Sequence, residues 1–386
     1  MKILHLCLSC FYIDNYSYQE NLLPKYHKKM GHIVRIVAST ETFDKNGRLT
    51  YTKPGEYCNE DGICVTRIPY KYRFIHKAAK KIRKYVGLED QLYAFMPDLI
   101  FIHGPEFGDT KIVARFAKKN SVRMICDCHS DFSNSGRNLL SRYILNGLYY
   151  RKCTRRLIPY VSKFYGVLPA RVDFLTNVLG VPKNKCGLLV MGVDDELAEE
   201  TSQLSRSSVR KSLGISKNDF LIVTGGKIDV FKNQTLSLMR AVNNLDNDNV
   251  KLLIFGSVCQ ELKSDFDALC ANSKERIVYV GWKNVKDSYG IFYASDLVVF
   301  PGRHSVYWEQ AVGLGCPLIV KRWPGTEHVN TDDNVLFLET DSDAEIESKL
   351  SLMLNNEDEY ARVKSNALLA KKHFLYSSIA KKSLEE

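Results

Sequence analysis

The side chains best suited to chemistry recur directly after short apolar runs. In the first half Tyr18 and Glu20 come after residues 3–8, His103 and Glu106 after 99–102, and His129 and Asp131 after 123–127. In the second half Gly225, Gly226 and Lys227 come after 221–224, Gly256 after 251–255, Gly281, Trp282 and Lys283 after 277–280, and Arg303, His304, Ser305 and Glu309 after 297–300. The first set is histidines and carboxylates; the second is glycines, cations and one acid. In open α/β sheets ligands collect outside the C-terminal ends of the strands, where helix N-termini point their dipoles outward. The second set suits a nucleotide diphosphate, and the first suits the acceptor-side groups of a transfer.

For these residues to meet, the apolar runs must be parallel strands and the amphipathic segments between them crossover helices. The expected strands in the first half are residues 3–8, 33–38, 65–68, 99–103, 123–127 and 156–161, with helices at 20–30 and 110–119. The pattern restarts at 221–224, 251–255, 277–280, 297–300 and 317–320. The fold class is therefore α/β, with two Rossmann-like doubly wound lobes facing each other across a cleft. The expected domains are a first lobe over 1–194, a polar linker over 195–216, a second lobe over 217–365 and a C-terminal helix over 366–386 that crosses back to the first lobe.

A chain of 386 residues with 45% apolar and 25% charged residues is an ordinary multidomain globular protein, which excludes extensive disorder and collagen-like repeats. Its apolar stretches fall short of the roughly 18 residues of a membrane span. The apolar start lacks a small-residue cleavage pattern, and eleven scattered cysteines agree with reduced thiols, so a cytoplasmic protein is expected. Charge is unevenly divided: residues 1–190 hold 31 Lys+Arg against 15 Asp+Glu, and the remainder 23 against 29. The densest run, residues 71–84, carries Lys71, Arg73, Lys77, Lys80, Lys81, Arg83 and Lys84 with no acid, and Phe74, Ile75, Ala78, Ile82 and Tyr85 as an apolar stripe. It reads as a basic amphipathic helix for an anionic membrane surface or anionic acceptor, with a solvated surface as the alternative. No zinc finger, RNP pattern or helix-turn-helix spacing accompanies it, so nucleic acid is not an expected partner.

Several segments, in order, resemble one family. KMGHIVRIVAS (29–39), PDLIFIHG (97–104), MGVDDE (191–196), GGKIDVFKN (225–233) and YASDLVVFPGRHSVYWEQAVGLGCPLIV (293–320) are similar to the metal-independent retaining glycosyltransferases of the GT-B fold, specifically glycosyltransferase family 4 (glycosyl transferases group 1). The resemblance covers nearly the whole chain and is strongest in the second half. It implies transfer of a sugar from a nucleotide diphosphate donor, UDP- or GDP-linked, to a glycan or lipid-linked acceptor, in cell-surface polysaccharide synthesis, without a cofactor. It assigns Lys227 and Lys232, beside Gly226, to the donor diphosphate, whose departing charge two cations can neutralise. It assigns Glu309 to the ribose hydroxyls, Gly281 and Trp282 to the base, and His129 to the transferred sugar near the reacting carbon. The bland alternatives are surface lysines, a helix-start carboxylate, a packed aromatic and a buried structural histidine.

Departures from that pattern are informative. The family's donor region carries two acids eight positions apart, and the position eight before Glu309 is Pro301; Arg303, His304 and Ser305 occupy the space where the first acid would read sugar hydroxyls. The Gly-Gly turn after the first strand is replaced by Ser17 and Tyr18, so backbone cannot approach a phosphate as closely there. These changes motivate a competing reading, a non-catalytic nucleotide- or glycan-binding scaffold of the same fold. An NAD-dependent enzyme is disfavoured because no Gly-x-Gly-x-x-Gly follows any strand. The pairs Cys7/Cys10 and Cys126/Cys128 have poor spacing for zinc, and no metal site is expected.

Overall fold

The sequence KILHLC has no charge beyond Lys2 and forms β1 (Lys2–Cys7), buried on both faces as the central strand of a parallel sheet must be. The computed structural model describes residues 1–44, 48–72, 76–131, 135 and 140–385, with backbone alone at 76, 77 and 140–142. The chain divides into one unit of Met1–Val190 with Ile379–Glu386 and another of Met191–Ser378.

The first unit continues with β2 (Ile33–Ser39), β3 (Glu41–Phe43), β4 (Leu49–Tyr51), β5 (Gly55–Cys58), β6 (Cys64–Ile68), β7 (Leu99–His103), β8 (Arg123–Cys128), β9 (Val161–Gly166) and β10 (Cys186–Leu188). Eight of these form a sheet in the order β10-β9-β8-β7-β1-β2-β6-β5, and β3 and β4 form a separate antiparallel pair. Strand order reverses between β1 and β7, the switch point where crossovers diverge. The register pairs His5 with Phe101 and His103 with Asp127. Side chains alternate with period two along a strand, so His5, Phe101, His103 and Asp127 share one face. The helix Gln19–Lys29 brings His27 to the same buried cluster.

The second unit holds β11 (Phe220–Ile228), β12 (Val250–Val258), β13 (Ile277–Tyr279), β14 (Leu297–Phe300), β15 (Leu318–Lys321) and β16 (Val335–Leu338), in the order β13-β12-β11-β14-β15-β16. All neighbours are parallel, and the order reverses between β11 and β14. Its core is built from inward residues such as Ile222, Leu252, Ile254 and Val299 against Leu238 and Val242 of the helix Gln234–Asn244.

The structure corrects four expectations. Residues 156–161 are not a strand: the helix Arg151–Leu157 runs through their start, because Cys153, Thr154 and Leu157 are buried at helical spacing and the β-rich run begins at Val161. Residues 195–216 are not an open linker but carry the helices Asp195–Ser202 and Arg206–Ser212. Arg206 and Arg210 bind the Asp296 carboxylate at 2.6 and 3.0 Å, which ties this stretch to the second sheet. Among the described residues of the basic run only His76–Ile82 is helical, and Tyr85, expected on the apolar stripe, is core, its hydroxyl donating to the Leu8 carbonyl at 2.6 Å. Arg73, Phe74 and Ile75 lie outside the described residues. Finally, Gly225, Gly226 and Lys227 lie inside β11 rather than after it, paired with Phe255, Gly256 and Ser257. At the chain's end the helices Glu357–Ala370 and Tyr376–Leu384 are separated by a 3₁₀ turn, and the last residues pack in the first unit, where Arg123 donates to the Leu384 carbonyl at 3.0 Å.

Candidate active site

In the first unit the C-terminal ends of β7 and β8 and the start of helix Gln19–Lys29 converge on Asp127. This carboxylate is fully buried. Its Oδ2 lies 2.8 Å from His103 Nδ1, 3.6 Å from His129 Nε2 and 3.2 Å from Gln19 Nε2, which donates to it. Burial alone would raise the Asp127 carboxyl, but the facing imidazoles of His103 and His129 outweigh it and hold the group well below the usual carboxylate range. Reciprocally, burial opposes protonation of His103 but the Asp127 charge carries it up to about 9. His129 is 27% exposed, with Glu20 Oε1 at 3.8 Å; burial opposes its charge, and Glu20 and Asp127 raise it above the ordinary histidine range.

A chain of buried rings runs behind this pair. His103 Nε2 lies 3.0 Å from His5 Nδ1, His5 Nε2 lies 3.1 Å from His27 Nδ1, and His27 Nε2 lies 2.9 Å from the Ser383 hydroxyl. Burial and the neighbouring imidazoles push His5 well below its ordinary value, and burial above all lowers His27 to about 3. Both rings are therefore neutral hydrogen-bond partners rather than charges.

In the second unit, two glycines let β11 and β12 approach at their ends. Gly226 and Gly256 are paired, with φ of 110° and 121°, and a Cβ on Gly256 would stand 1.9 Å from the Gly226 carbonyl oxygen. Lys227 is 73% exposed with Asp229 at 3.5 Å. Lys232 is half-buried; burial above all, with Arg303 and Lys227, lowers its ammonium against the pull of Asp229. The β14 loop reaches the same place: Gly302 sits against Lys232 and Gln234, and the Arg303 guanidinium lies 5.2 Å from the Phe231 ring centre.

Glu309 is fully buried in the helix Tyr307–Gly313. Its Oε1 lies 2.8 Å from both His304 Nε2 and His328 Nε2, while Oε2 has no hydrogen-bond partner among the described residues. Burial would raise this carboxyl, but His304 and His328 bring it down to about 2. It is an anion with one oxygen held by two histidines and the other buried without a hydrogen-bond partner among the described residues.

The expected site residues thus fall into two groups. Glu20, His103 and His129 meet around Asp127, and Glu106 lies alongside, buried, accepting from the Cys128 thiol at 3.8 Å; burial raises its carboxyl. Asp131 turns instead to Arg171 at 3.3 Å, and Tyr18 is an exposed residue before helix Gln19–Lys29. Gly226, Lys227, Lys232, Arg303, His304, Ser305 and Glu309 gather at the ends of β11 and β14. Gly281, with φ 68°, accepts the Gly256 amide at 2.7 Å, and Trp282 stands 73% exposed, which core packing does not explain. Sequence reasoning missed His5, His27 and His328. A histidine inside the apolar run ILHLCL was the available signal for His5; His328 arrives from a 3₁₀ turn, Glu327–Val329, with no local pattern around it.

Glu20, His103 and His129, and likewise His304, Glu309 and His328, place ligand-type atoms within 4.8 Å of one another. Both nitrogens of His103 are already engaged, by Asp127 and His5, which leaves that ring no lone pair for a cation while the network stands. The cysteines are all free thiols, and burial pushes Cys126 and Cys128 well above the ordinary range.

Folds built of two Rossmann-like units recur in solved structures. Sucrose-phosphate synthase from Thermosynechococcus elongatus is 13% identical, with 99% of this chain and 96% of that one covered and a TM-score of 0.65. HepE from Anabaena in complex with UDP-glucose is 13% identical over 99% and 98%, with a TM-score of 0.63. A UDP-GlcNAc 2-epimerase from Neisseria meningitidis bound to UDP-GlcNAc is 13% identical over 100% and 99%, with a TM-score of 0.61. At these identities the likeness concerns the fold, which is GT-B. Residues 205–369 match the model of one family, described as glycosyl transferases group 1. The matched residues all lie within the second unit, where the resemblance read from the sequence is strongest. No curated protein sequence matches the chain.

Proposed function

We propose that this protein is a retaining glycosyltransferase of family 4 that moves a sugar from a nucleoside diphosphate donor to a glycan or lipid-linked acceptor in cell-surface polysaccharide synthesis. The observation that carries the donor assignment is Glu309: a buried carboxylate with Oε1 braced by two histidines and Oε2 unpartnered offers acceptors only, the complement of a ribose hydroxyl. Lys227, Lys232 and Arg303 would neutralise the diphosphate as the bond from the sugar carbon to its oxygen breaks and that oxygen takes the electron pair. In the retaining course the incoming hydroxyl bonds to the same face of the carbon and gives its proton to the departing diphosphate. No side-chain nucleophile or metal is then needed. His129 would contact the sugar, its charge sustained by Asp127 and Glu20. A uridine donor is supported by the bound UDP-glucose of HepE, with guanosine as the other base to test.

The first unit, with Tyr18, Glu20, His103, Glu106 and Asp131 at its strand ends, is assigned to the acceptor. A peripheral position on the inner face of the membrane would use Lys71, Lys80, Lys81 and Lys84. Incubation with a panel of nucleotide sugars, reading nucleotide release with and without a chelator and the anomeric configuration of the product, tests the reading. Chelator-insensitive release with retained configuration is expected; inversion refutes the mechanism, and nucleotide binding without release for every sugar leaves the scaffold.

A further inference from the structure

We propose that the first unit binds a phosphate-bearing small molecule in a cavity of ≈ 450 Å³ between the segment ending at Lys84, Gly108 and the helix Arg151–Leu157. The site involves no residue of the second unit, so it goes beyond the donor assignment and does not depend on it. Its size falls in the range of small-molecule pockets, about 300–1,000 Å³.

Three cations, Lys84, Lys152 and Arg156, line this cavity, and no carboxylate does. None of the three has an ion-pair partner among the described residues. The acid that feels Lys84, Asp109, accepts the Tyr85 amide at 2.7 Å and does not line the cavity. Lys84 and Arg156 are half-buried and Lys152 is exposed; like charges so gathered repel one another, and an anion among them relieves that repulsion.

The cations are placed by structure rather than scattered over a surface. Lys152, Cys153 and Arg156 stand at i, i+1 and i+4 of the helix Arg151–Leu157, and Tyr149 comes from the helical stretch just before it. Arg156 and Lys84, from different segments, both act on the buried Cys153 thiol, so their charges converge. The floor is tightly built: a Cβ on Gly108 would stand 2.5 Å from the Ile82 carbonyl oxygen and 2.7 Å from the Tyr149 hydroxyl, which itself donates to Ile82 at 2.8 Å. Ala78, Ile82 and Tyr72 make the remaining wall apolar. A bare phosphate would occupy only part of this volume. The chemistry fits a phosphate ester on a glycerol- or sugar-sized body, whether soluble or the headgroup of a lipid.

The test titrates the full-length protein with glycerol 3-phosphate by calorimetry and, in parallel, sediments it with phosphatidylglycerol or phosphatidylcholine vesicles. Saturable binding that weakens at least tenfold in Arg156→Glu and Lys152→Glu, recovers in Arg156→Lys and persists in Lys232→Ala is expected. Melting temperatures of the variants establish that the fold survives. Binding of glycerol 3-phosphate alone identifies a soluble ester; co-sedimentation with phosphatidylglycerol that is lost in Arg156→Glu identifies a lipid headgroup. The proposal is overturned if neither probe binds, if Arg156→Glu binds as the parent does, or if Lys232→Ala abolishes the binding.

Discussion

His5 Nδ1 and His103 Nε2 lie 3.0 Å apart with both rings fully buried, and this contact joins the candidate site to the C-terminal helix. With His103 protonated, every hydrogen in the chain has a place. His103 donates Nδ1–H to Asp127 and Nε2–H to His5; His5 donates Nε2–H to His27; His27 donates to the Ser383 oxygen, and that hydroxyl donates to the Ala380 carbonyl at 2.7 Å. A buried ion pair is thereby provided with the partners that buried charges require.

Stability should consequently peak near the ordinary histidine pKa of about 6.5. His103 is raised to about 9, so its contribution is complete below about 6.5 and is lost as pH climbs towards 9. His27 is lowered to about 3 and His5 is lowered as well, so their contribution is complete above about 6.5 and is lost as pH falls. Melting temperature against pH checks this: the parent should fall away on both sides, and Asp127→Asn should lose the alkaline decline because His103 no longer gains a charged partner. An unchanged alkaline decline in that variant would remove the His103–Asp127 pair as its cause.

His129→Ala should lower sugar transfer about 10²-fold, the scale of losing one polar contact made in the transition state, with little change in melting temperature. The ring is partly exposed, and Asp127 keeps His103 as a partner without it. Unchanged transfer with a lowered melting temperature would make His129 structural.

His328→Phe should make nucleotide binding sensitive to acid. In the parent the two histidines hold the Glu309 carboxyl at about 2, so binding should be flat between about pH 5 and 8. With one brace gone, burial should raise the carboxyl, and affinity should fall as pH falls. Fluorescence titration of nucleoside diphosphate at several pH values reads the difference; identical profiles would refute the brace.

Gly256→Ala should be among the most damaging single changes in the second unit, costing about 3 kcal/mol or more, because the new methyl meets backbone rather than a movable side chain and φ is 121°. Urea unfolding of the parent and variant measures it, and a loss under about 1 kcal/mol would mean the β11–β12 approach is not as tight as described.

Much of this architecture was legible because parallel strands buried on both faces are short, apolar and separated by amphipathic segments. The ends of β7, β8 and β14 are therefore legible, and with them His103, His129 and Glu309. The strand β11 reaches beyond 221–224 because Gly225 and Gly226, placed after the apolar run in the sequence, are the glycines that let two strands stay paired to their ends. The helix Arg206–Ser212 was hidden by its polar composition, since what fixes it is Arg210 meeting Asp296 about ninety residues away in sequence. The histidine chain was invisible for the same reason: its members come from β1, β7, a helix and the chain's end, and no local spacing links them.

The most direct test of the donor assignment is the affinity of the full-length protein for UDP and GDP, measured by calorimetry for the parent, Lys232→Ala and Glu309→Ala. One of the two nucleotides should bind the parent, and each variant should bind it at least tenfold more weakly, at a melting temperature close to the parent's for Lys232→Ala. Lys227→Ala should affect turnover more than affinity if that cation mainly serves the leaving group. Parent-like affinity in either Lys232→Ala or Glu309→Ala would contradict the placement of the donor in the second unit.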